Sequence, residues 1–573
     1  MKLKQLASAV ILATSGVAIA PLATAATYDL SLVPVQDKVF LNFAQSIDNT
    51  GTMVVTAQGG YNPPIDLSLL DFEDETFIAR FADPEAVEQG IFSSADYQEL
   101  YAYIVNARGA GNTTFQPIAS YRSYKSDTVT ADLIPGFDAF NDAINDYWRQ
   151  NYTSVYDSVG GDYFVGIANA PFFTVDYTND DGDEFTYIIN NAQTQGFVEV
   201  NGNATPLPSA LADAPIPGYS EPFAINQSLQ VVGWASVDVT DDFQEDIDAC
   251  LDDETRGSQP FDVCLYNLSL NVTTGTYRRA AIWQLDAQGN VLSTTPYGMA
   301  FEPDEDEYVT GYVSSARDIN DNGIAVGYAH NGEFVLYTLP SAQPRRFTFP
   351  QEVATTFVDG VVTEILPRED SLSSYAQGIN NDNWVMGTVL EENNGFARQH
   401  LFVHNLDSGE SIFPQGFFQT AGVRPRAINN NGIVVGEGEY ESDVQYDRQV
   451  RAFMYDINVG DFIDLNTLLS CEQREQYRLV SAADINDDNE IIANALYLDT
   501  QRYIDGEEVL TTAGDTIDAN RIVAVKLTPN GTGSVEQCDA AEEQNYERKG
   551  ATGTLYGLLT LGLFAFLRRL SFR

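Results

Sequence analysis

The sequence predicts an all-β fold of repeated hairpins, most simply a β-propeller-like array of about seven blades, with six to eight compatible with 573 residues. Two observations predict it. A ten-residue motif recurs six times, and a second, weaker strand pattern recurs between its copies. The contents of 44% hydrophobic and 12% aromatic residues are ample for a folded β protein. A β-sandwich or a β-solenoid is the alternative architecture.

The motif predicts a tight β-hairpin. An isoleucine is followed by Asn or Asp, then by Gly, Asn or Leu three positions later, and then by a short apolar run. The Asn or Asp side chain can bond the backbone ahead of it, and Gly or Asn tolerates a positive φ. The runs are short and rich in β-branched residues, so we expect strands buried on both faces. The motif isoleucines are Ile47, Ile225, Ile319, Ile379, Ile428 and Ile485.

The spacing of the copies leaves room for further blades. The first two isoleucines are 178 residues apart, whereas later neighbours are 94, 60, 49 and 57 apart. Tyr163–Ala168 resembles the strand after Ile225 and is a candidate degenerate copy. We therefore expect residues 58–220 to hold one or two blades in addition to those that the motif marks.

A second strand pattern lies between the copies and alternates as a half-exposed strand should. It occurs at Ala280–Asp286, Phe334–Tyr337, Gln399–Asn405 and Arg451–Asp456. The pairing of Pro425–Gly436 with Arg451–Asp456 resembles the HAF-type extracellular repeat of exported bacterial proteins. As a whole, the chain resembles an uncharacterised family of exported Gram-negative proteins, a domain of unknown function. That resemblance implies no catalytic residue.

The N-terminal end predicts export. Residues 1–25 have a basic start, an apolar stretch and a small-residue cleavage site, as a signal peptide does. Residues 26–538 then form the β-repeat body. Within it, residues near 85–152 depart from the motif and predict a small helical insertion. Ser94 is a candidate cap for a helix over Ala95–Asn106, and Phe140, Ile144, Tyr147 and Trp148 are spaced as one helix face.

The C-terminal end predicts a membrane segment. A polar linker over 539–550 precedes an uncharged stretch over 551–567, and a basic tail over 568–573 follows. The stretch has 17 residues, the lower limit for a span, and the arginines after it should stay cytoplasmic. This order resembles the GlyGly-CTERM sorting signal, which implies a sorting protease as a partner. The protein is thus expected in the periplasm or at the cell surface, anchored by a single C-terminal helix unless it is processed.

The net charge restricts the partners. The formal charge is −52, and the body without the two signal lysines and the three tail arginines carries −57. Such a field repels nucleic acid and anionic lipid surfaces. It is compatible with cationic ligands and divalent ions, although a solvated surface that keeps an exported protein soluble explains it as well. We expect no nucleic-acid partner.

The four cysteines predict disulfides. An even number in an exported protein favours pairing, although sequence alone does not fix the connectivity. We predict the pairs Cys250–Cys264 and Cys471–Cys538. No C-x-x-C motif occurs, so redox catalysis is not expected.

Candidate metal sites are weak. Asp318–Gly323 matches the first half of an EF-hand loop, but Ala329 stands where the bidentate carboxylate belongs, so a turn explains it better. Asn179–Glu184 is acidic enough for calcium, yet hairpin tips often have this composition. His400 and His404 would share one strand face without an evident third ligand. We predict no cofactor, no metal site and no catalytic set, with calcium as the one ion that has candidates.

These observations favour a ligand-binding or partner-binding scaffold of unknown specificity. The alternatives are a propeller-type enzyme acting on an extracellular substrate such as polysaccharide, and a structural envelope protein. Three or more carboxylates or histidines in one deep pocket would favour the enzyme. A shallow aromatic-lined face would favour the binder, and a body without a pocket would favour the structural role.

Overall fold

Seven four-stranded antiparallel sheets form a β-propeller. The computed structural model describes residues 27–538 except 180, 212–213, 304–310, 340–343, 367–370, 394–395 and 443–447. The chain separates into a body that ends at Val535 and a second unit from Glu536 onward. The predicted signal peptide, the segment over 551–567 and the basic tail lie outside the described residues and stay predictions.

The first strand, β1, spans Thr27–Leu32 and belongs to the last blade. Blade 1 consists of β2 (Val39–Ile47), β3 (Met53–Gly60), β4 (Tyr121–Ser126) and β5 (Ala131–Ile134). A short ribbon of β6 (Phe140–Asn141) and β7 (Asp146–Tyr147) follows. Blade 2 consists of β8 (Thr153–Val159), β9 (Tyr163–Ala168), β12 (Gln195–Val200) and β13 (Asn203–Pro206), with the hairpin of β10 (Phe173–Thr178) and β11 (Glu184–Ile189) inserted.

The next three blades each consist of four strands that are consecutive in chain order. Blade 3 consists of β14 (Ser220–Ile225), β15 (Gln230–Val239), β16 (Thr276–Leu285) and β17 (Val291–Pro296). Blade 4 consists of β18 (Ser314–Ile319), β19 (Ala325–Leu339), β20 (Arg345–Val358) and β21 (Val361–Glu364). Blade 5 consists of β22 (Ser373–Ile379), β23 (Trp384–Asn393), β24 (Phe396–Asn405) and β25 (Ser411–Ile412).

The last two blades complete the ring. Blade 6 consists of β26 (Val423–Ile428), β27 (Ile433–Glu439), β28 (Val450–Asp456) and β29 (Asp461–Asp464). Blade 7 consists of β30 (Tyr477–Ile485), β31 (Ile491–Thr500) and β32 (Asp518–Asn530), with β1 as its outermost strand. Pairing of β1 with β32, from Thr27↔Asn530 to Leu32↔Val525, joins the two ends of the body.

All six motif isoleucines end the innermost strand of a blade, which confirms the hairpin repeat and the prediction of about seven blades. Blade 2 is the degenerate copy predicted at Tyr163–Ala168, which is strand β9. Phe334–Tyr337 is a half-exposed strand as predicted, but it continues β19, and the third strand of blade 4 is β20. The sequence carries a turn signal, Asn331-Gly332, just before Phe334, but β19 continues through it with an irregularity in its pairing between His330 and Phe334.

Seven apolar clusters hold the blades together, one between each pair of neighbours. The cluster between blades 7 and 1 joins Ile492 and Ala524 to Met53 and Val55, all with no more than 2% exposure. The core is therefore a closed sequence of sheet-on-sheet contacts rather than one central mass.

Two faces of the propeller differ. The innermost strands end at the Asn or Asp turns of the motif, and we call that side the turn face. Segments that join second and third strands emerge on the opposite side, here called the insertion face. In blade 1 this segment carries α1 (Glu75–Ile78), α2 (Pro84–Val87) and α3 (Ser94–Gly109), and in blade 3 it carries α4 (Asp241–Leu251), α5 (Asp253–Arg256), α6 (Phe261–Ser269) and α7 (Val272–Gly275).

The predicted helical insertion near 85–152 is right in part. Helix α3 forms, but its N-cap is Ser93 rather than Ser94, since the Ser93 hydroxyl accepts from the Asp96 amide. The predicted helix face at Phe140, Ile144, Tyr147 and Trp148 is wrong, because β6 and β7 form a ribbon there. Phe140 and Tyr147 are cross-strand partners with ring centroids 5.2 Å apart, a contact that the helical spacing mimicked.

Two further elements lie near the last blade. A 3-10 turn over Leu465–Leu468 precedes α8 (Cys471–Gln476), whose N-cap Ser470 forms a capping box with Gln473. Within the described ranges, no helix combines the length and the apolar character that a bilayer crossing requires.

Candidate functional site: the central channel

A cavity of about 270 Å³ occupies the axis of the propeller on the side of the turn face. It runs from the turns to a level at which every innermost strand carries a β-bulge. A bulge leaves one residue out of the strand pairing. In blades 1 to 7 the seven bulge residues are Gln45, Tyr156, Phe223, Arg317, Gln377, Arg426 and Ala483, and all but Gln45 line the cavity.

Glycines in the second strands allow these bulges. A Cβ on Gly327 would lie 1.9 Å from the carbonyl oxygen of Ser315, and one on Gly436 would lie 2.2 Å from that of Arg424. Gly166, Gly233 and Gly387 meet the innermost strand in the same way. A side chain at any of these five glycines would therefore collide with the backbone of the innermost strand.

The wall of the cavity is asymmetric. Tyr156 and Phe223 stack with ring centroids 5.8 Å apart, and the Arg317 guanidinium carbon lies 3.8 Å from the Phe223 ring centroid. Bulge residues of blades 2, 3 and 4 therefore form one continuous stack. On blade 6, the Arg426 Nη2 and Nε atoms bond the two carboxylate oxygens of Glu437 at 2.6 and 2.9 Å. Arg317 has no such carboxylate among the described residues.

Three aspartates follow bulge residues and also line the cavity. They are Asp157, Asp318 and Asp484, on blades 2, 4 and 7. The two oxygens of each accept one backbone N–H from its own strand and one from the next blade. Asp484, for example, accepts from the Ile485 amide at 2.8 Å and from the Ile47 amide at 2.7 Å. Each aspartate thus clamps two neighbouring innermost strands.

Enclosure raises the pKa of all three carboxyl groups. Desolvation is the largest cause, and it raises the pKa of Asp318 to about 6 and that of Asp484 to about 7. Desolvation also raises the pKa of Asp157 well above its ordinary value, and the charges of Asp484 and Asp318 raise it further. Backbone hydrogen bonds lower all three pKa values but do not offset the desolvation. The channel therefore holds acids whose charges repel one another, and Asp318 and Asp484 take up protons near neutral pH.

The motif asparagines form a ring at the turn face. Each Asn Oδ1 accepts two amides of its own turn, as Asn429 does from Asn431 and Ile433, while its Nδ2 donates to the next blade. Asn226 donates to the Asn320 carbonyl at 3.0 Å, and the chain of bonds continues through Asn380, Asn429 and Asn486 to the Asp48 carbonyl. Asp48 has no amide to donate and instead accepts from the Gly161 amide at 2.6 Å. Blade 2 has no Asn or Asp at this position.

A second, exposed belt surrounds this ring. From blade 3 onward, the backbone amide of the residue after each motif Asn donates to the side-chain oxygen of its counterpart in the next blade, as Asn381 does to Asn430 at 2.8 Å. The belt consists of Gln227, Asp321, Asn381, Asn430, Asp487 and Asn49. These residues line the mouth of the cavity, so its entrance is polar and acidic.

Above the bulge level, Glu221 gathers three donors. Tyr156 Oη donates at 3.1 Å to one carboxylate oxygen, while Tyr219 Oη and Trp234 Nε1 donate to the other, the latter at 2.8 Å. Desolvation raises the pKa of both tyrosines, and the charge of Glu221 raises it further. Glu221 therefore fixes the aromatic side of the channel wall rather than offering a free carboxylate.

The residues predicted as sites lie elsewhere or serve the fold. Cys250 and Cys264 form the predicted disulfide between α4 and α6. The pairing of Cys471 with Cys538 stays a prediction. His400 and His404 lie on β24, where His404 Nδ1 contacts the Ser411 hydroxyl at 2.8 Å. Asn179 caps the turn of the β10–β11 hairpin by accepting from the Asp181 and Asp183 amides.

Calcium binding stays a prediction. In the part of the chain that the structure describes, no group of three or more His, Cys, Asp and Glu side chains is placed to hold a metal ion. Asp318 is a clamp residue, and Asn320 forms the turn expected in place of an EF-hand loop.

Sequence reasoning missed the bulge residues. They stand two positions before the motif isoleucine, where the copies differ, and the motif was defined by the positions at which they agree. A comparison of the copies for their most variable position would have identified them. That six side chains line one cavity follows only from closure of the ring.

Residues 1–569 match the family model described as "Protein of unknown function (DUF3466)", so the chain belongs to that family. A search of curated proteins finds no significant match.

The chain is also similar to solved structures. The propeller domain of the Trilobed protease from Pyrococcus furiosus is 10% identical, with 60% of this chain and 89% of that chain covered and a TM-score of 0.26. An acylaminoacyl peptidase from Pyrococcus horikoshii is 12% identical, with 64% and 52% covered and a TM-score of 0.28. A protein from Parabacteroides distasonis, titled a putative glycoside hydrolase, is 12% identical, with 46% and 80% covered and a TM-score of 0.18. The propeller assignment rests on the strand pairing and not on these scores.

Proposed function

We propose that this member of a family of unknown function is a ligand-binding propeller whose ligand enters the central channel from the turn face. The alternative of a purely structural envelope protein predicts a body without a pocket, and the channel argues against it. Pockets on the axis of a repeat scaffold are common binding sites.

A contrast within this one chain carries the proposal. The isoleucine of the motif occurs in six of seven blades, and the Asn or Asp after it also occurs in six. The bulge position that faces the channel holds Gln, Tyr, Phe, Arg, Gln, Arg and Ala in blades 1 to 7. Closure of the ring requires the isoleucine and the Asn or Asp, but it does not require any particular residue at the bulge position. The side chains that line the channel can therefore be specific for a ligand without disturbing the fold.

An enzyme is the second candidate, because three carboxyl groups with raised pKa values meet in one cavity. General acid catalysis uses such groups. Both oxygens of Asp157, Asp318 and Asp484 are, however, occupied by backbone amides that join neighbouring blades. Because these oxygens already accept hydrogen bonds, the three acids are better suited to a structural and electrostatic role than to proton transfer. This supports ligand binding over hydrolysis as the function of the channel.

Export is part of the proposal. The Cys250–Cys264 disulfide supports an oxidising compartment, as do the features of residues 1–25. We place the body in the periplasm or at the cell surface, with the segment over 551–567 as its tether and a HAF-type repeat and a GlyGly-CTERM-like signal as its sequence hallmarks. Fractionation of cells with and without the residues after Gly550 tests this address, and full-length protein in the cytoplasm would contradict it.

A ligand-independent experiment tests the channel itself. Ala483→Trp places a large side chain in the lumen from a bulge position, and Ala287→Trp makes the same change on an exposed turn of blade 3. Thermal shifts with a library of metabolites and oligosaccharides should give compounds that stabilise the wild type and Ala287→Trp but not Ala483→Trp. Compounds that bind Ala483→Trp as well as the wild type would place the binding site outside the channel.

A further inference from the structure

We infer that the ligand of the channel is a zwitterion that carries an ammonium group and a carboxylate, as amino acids and short peptides do. The inference rests on the proposed function, because it assigns a ligand class to the same cavity. Two side chains with unmet bonding capacity carry it, one a donor and one an acceptor.

Arg317 is the donor. Its guanidinium carbon lies 3.8 Å from the Phe223 ring centroid, and its N–H groups can meet a planar anion. No carboxylate of the described residues pairs with it, although this chain has 82 acidic and 30 basic side chains. The channel arginine of blade 6, by contrast, is held by both oxygens of Glu437. An unpaired guanidinium in so acidic a protein marks a place for an anionic group of a ligand.

Gln377 is the acceptor. Its side-chain carbonyl oxygen is buried without a hydrogen-bond partner. A buried polar atom without a partner costs stability unless something from outside satisfies it. The carboxyl groups of Asp157, Asp318 and Asp484 lie in the same cavity and repel one another. An ammonium group has three N–H donors and a positive charge, so it meets the needs of both the amide oxygen and the acids.

The two features lie side by side. Arg317 and Gln377 occupy the same bulge position on blades 4 and 5, which are neighbours in the ring. Both residues line the cavity, so a ligand that reaches its inner end meets Arg317 and the Gln377 side chain at one level. The volume of about 270 Å³ suits a small metabolite or the end of a short peptide. An anion alone would leave the acids uncompensated, and a cation alone would leave Arg317 unpaired.

Proton release distinguishes a zwitterion from an anion. An ammonium group near carboxyl groups with raised pKa values lowers those values, so protons leave the protein on binding. Calorimetric titration of the full chain at pH 7 in phosphate and in Tris, two buffers with different ionisation enthalpies, measures that release. The probes are glycylglycine, L-alanine, ethylamine and propionate. We expect release with the three probes that carry an ammonium group and none with propionate, and binding of glycylglycine and L-alanine about tenfold tighter than that of ethylamine or propionate.

Matched variants assign the groups. Arg317→Gln should weaken glycylglycine binding by about tenfold and change ethylamine binding by less than about twofold. Arg345→Gln, the same change at an exposed position of β20, should leave both unchanged. Gln377→Leu should weaken glycylglycine and ethylamine together. Preference for L-alanine over glycylglycine would indicate a free amino acid, and the reverse preference a peptide end.

The outcomes separate this inference from the proposed function. Equal binding of ethylamine and glycylglycine, or no effect of Arg317→Gln, would overturn the zwitterion and leave channel binding in place. Failure of all four probes, with library compounds still excluded by Ala483→Trp, would do the same. Library compounds that bind Ala483→Trp as well as the wild type would overturn both the zwitterion and binding in the channel.

Discussion

At the scale of the residue, the channel aspartates combine two effects of opposite sign. Each accepts two backbone amides, which favours the ionised form, yet desolvation disfavours it more strongly. A carboxyl group whose pKa is higher in the folded than in the unfolded chain binds protons better when folded. Its contribution to stability is therefore fully present below the unfolded pKa, near 4, and is lost as the pH rises through the folded value.

Asp484 provides a test of this sign. With its folded pKa at about 7, the contribution of Asp484 to the free energy of unfolding should fall between about pH 4 and pH 7, by at most about 1.4 kcal/mol for each pH unit. Asp484→Asn should flatten that part of the profile measured by urea unfolding. Asp461→Asn, at an exposed position of β29, removes the same formal charge and should keep the wild-type slope. A wild-type slope in Asp484→Asn would contradict the assignment.

At the scale of the element, a blade is defined by a bulge in its first strand and a close approach of its second. The bulge turns one side chain toward the propeller axis. It also brings a backbone carbonyl oxygen of the first strand close to the second strand. In blade 4 the strands fit only because Gly327 has no side chain. The glycine thus keeps the channel residue Arg317 in place without touching it.

Gly327→Ala should consequently be costly. The new Cβ would lie 1.9 Å from the Ser315 carbonyl oxygen, and we expect a loss of about 3 kcal/mol in unfolding free energy or failure to fold. Gly298→Ala has open space around the added atom and should change stability by less than about 0.5 kcal/mol. Equal denaturation midpoints for the two variants would show that the strands separate without strain.

The elements also show how far sequence reasoning reaches. Turn chemistry and short apolar runs predicted the first two strands of six blades, because those features are local. The ribbon at Phe140–Tyr147 escaped prediction, since its residue spacing fits a helix face and a cross-strand pair equally well. The site escaped for another reason. Three aspartates and six bulge residues, far apart in sequence, meet only because the ring closes, and no local pattern states that it will.

At the scale of the whole molecule, two kinds of contact close the ring. Apolar clusters fill every seam between blades, and the asparagine ring adds a directional bond from blade 3 through blade 1. Blade 2 interrupts this ring. Its Gly161 amide donates to Asp48 of blade 1, but it has no motif asparagine that could donate a side-chain amide to blade 3. The seam between blades 2 and 3 therefore depends on its apolar cluster and on other hydrogen bonds, such as those that the Ile225 amide donates to Asp157 and Tyr156 donates to Glu221.

Asn429→Asp tests the ring. The change removes the donor to the Asn486 carbonyl at 2.9 Å and sets a carboxylate against that oxygen, so we expect a loss of about 2 kcal/mol. Asn201→Asp adds the same charge on an exposed turn with positive φ and should cost less than about 0.5 kcal/mol. Urea unfolding of both variants measures the difference. If Asn429→Asp lost no more unfolding free energy than Asn201→Asp, the asparagine ring would not stabilise the contacts between blades.

The pairing of Thr27 with Asn530 has a consequence for orientation. Strand β32 runs in the same direction as the innermost strands, so the body starts and finishes at one spot on the rim of the turn face. A segment attached at either end of the body therefore leaves it at the rim of the turn face, where the acidic opening of the channel lies, and the insertion face lies at the other end of the propeller axis.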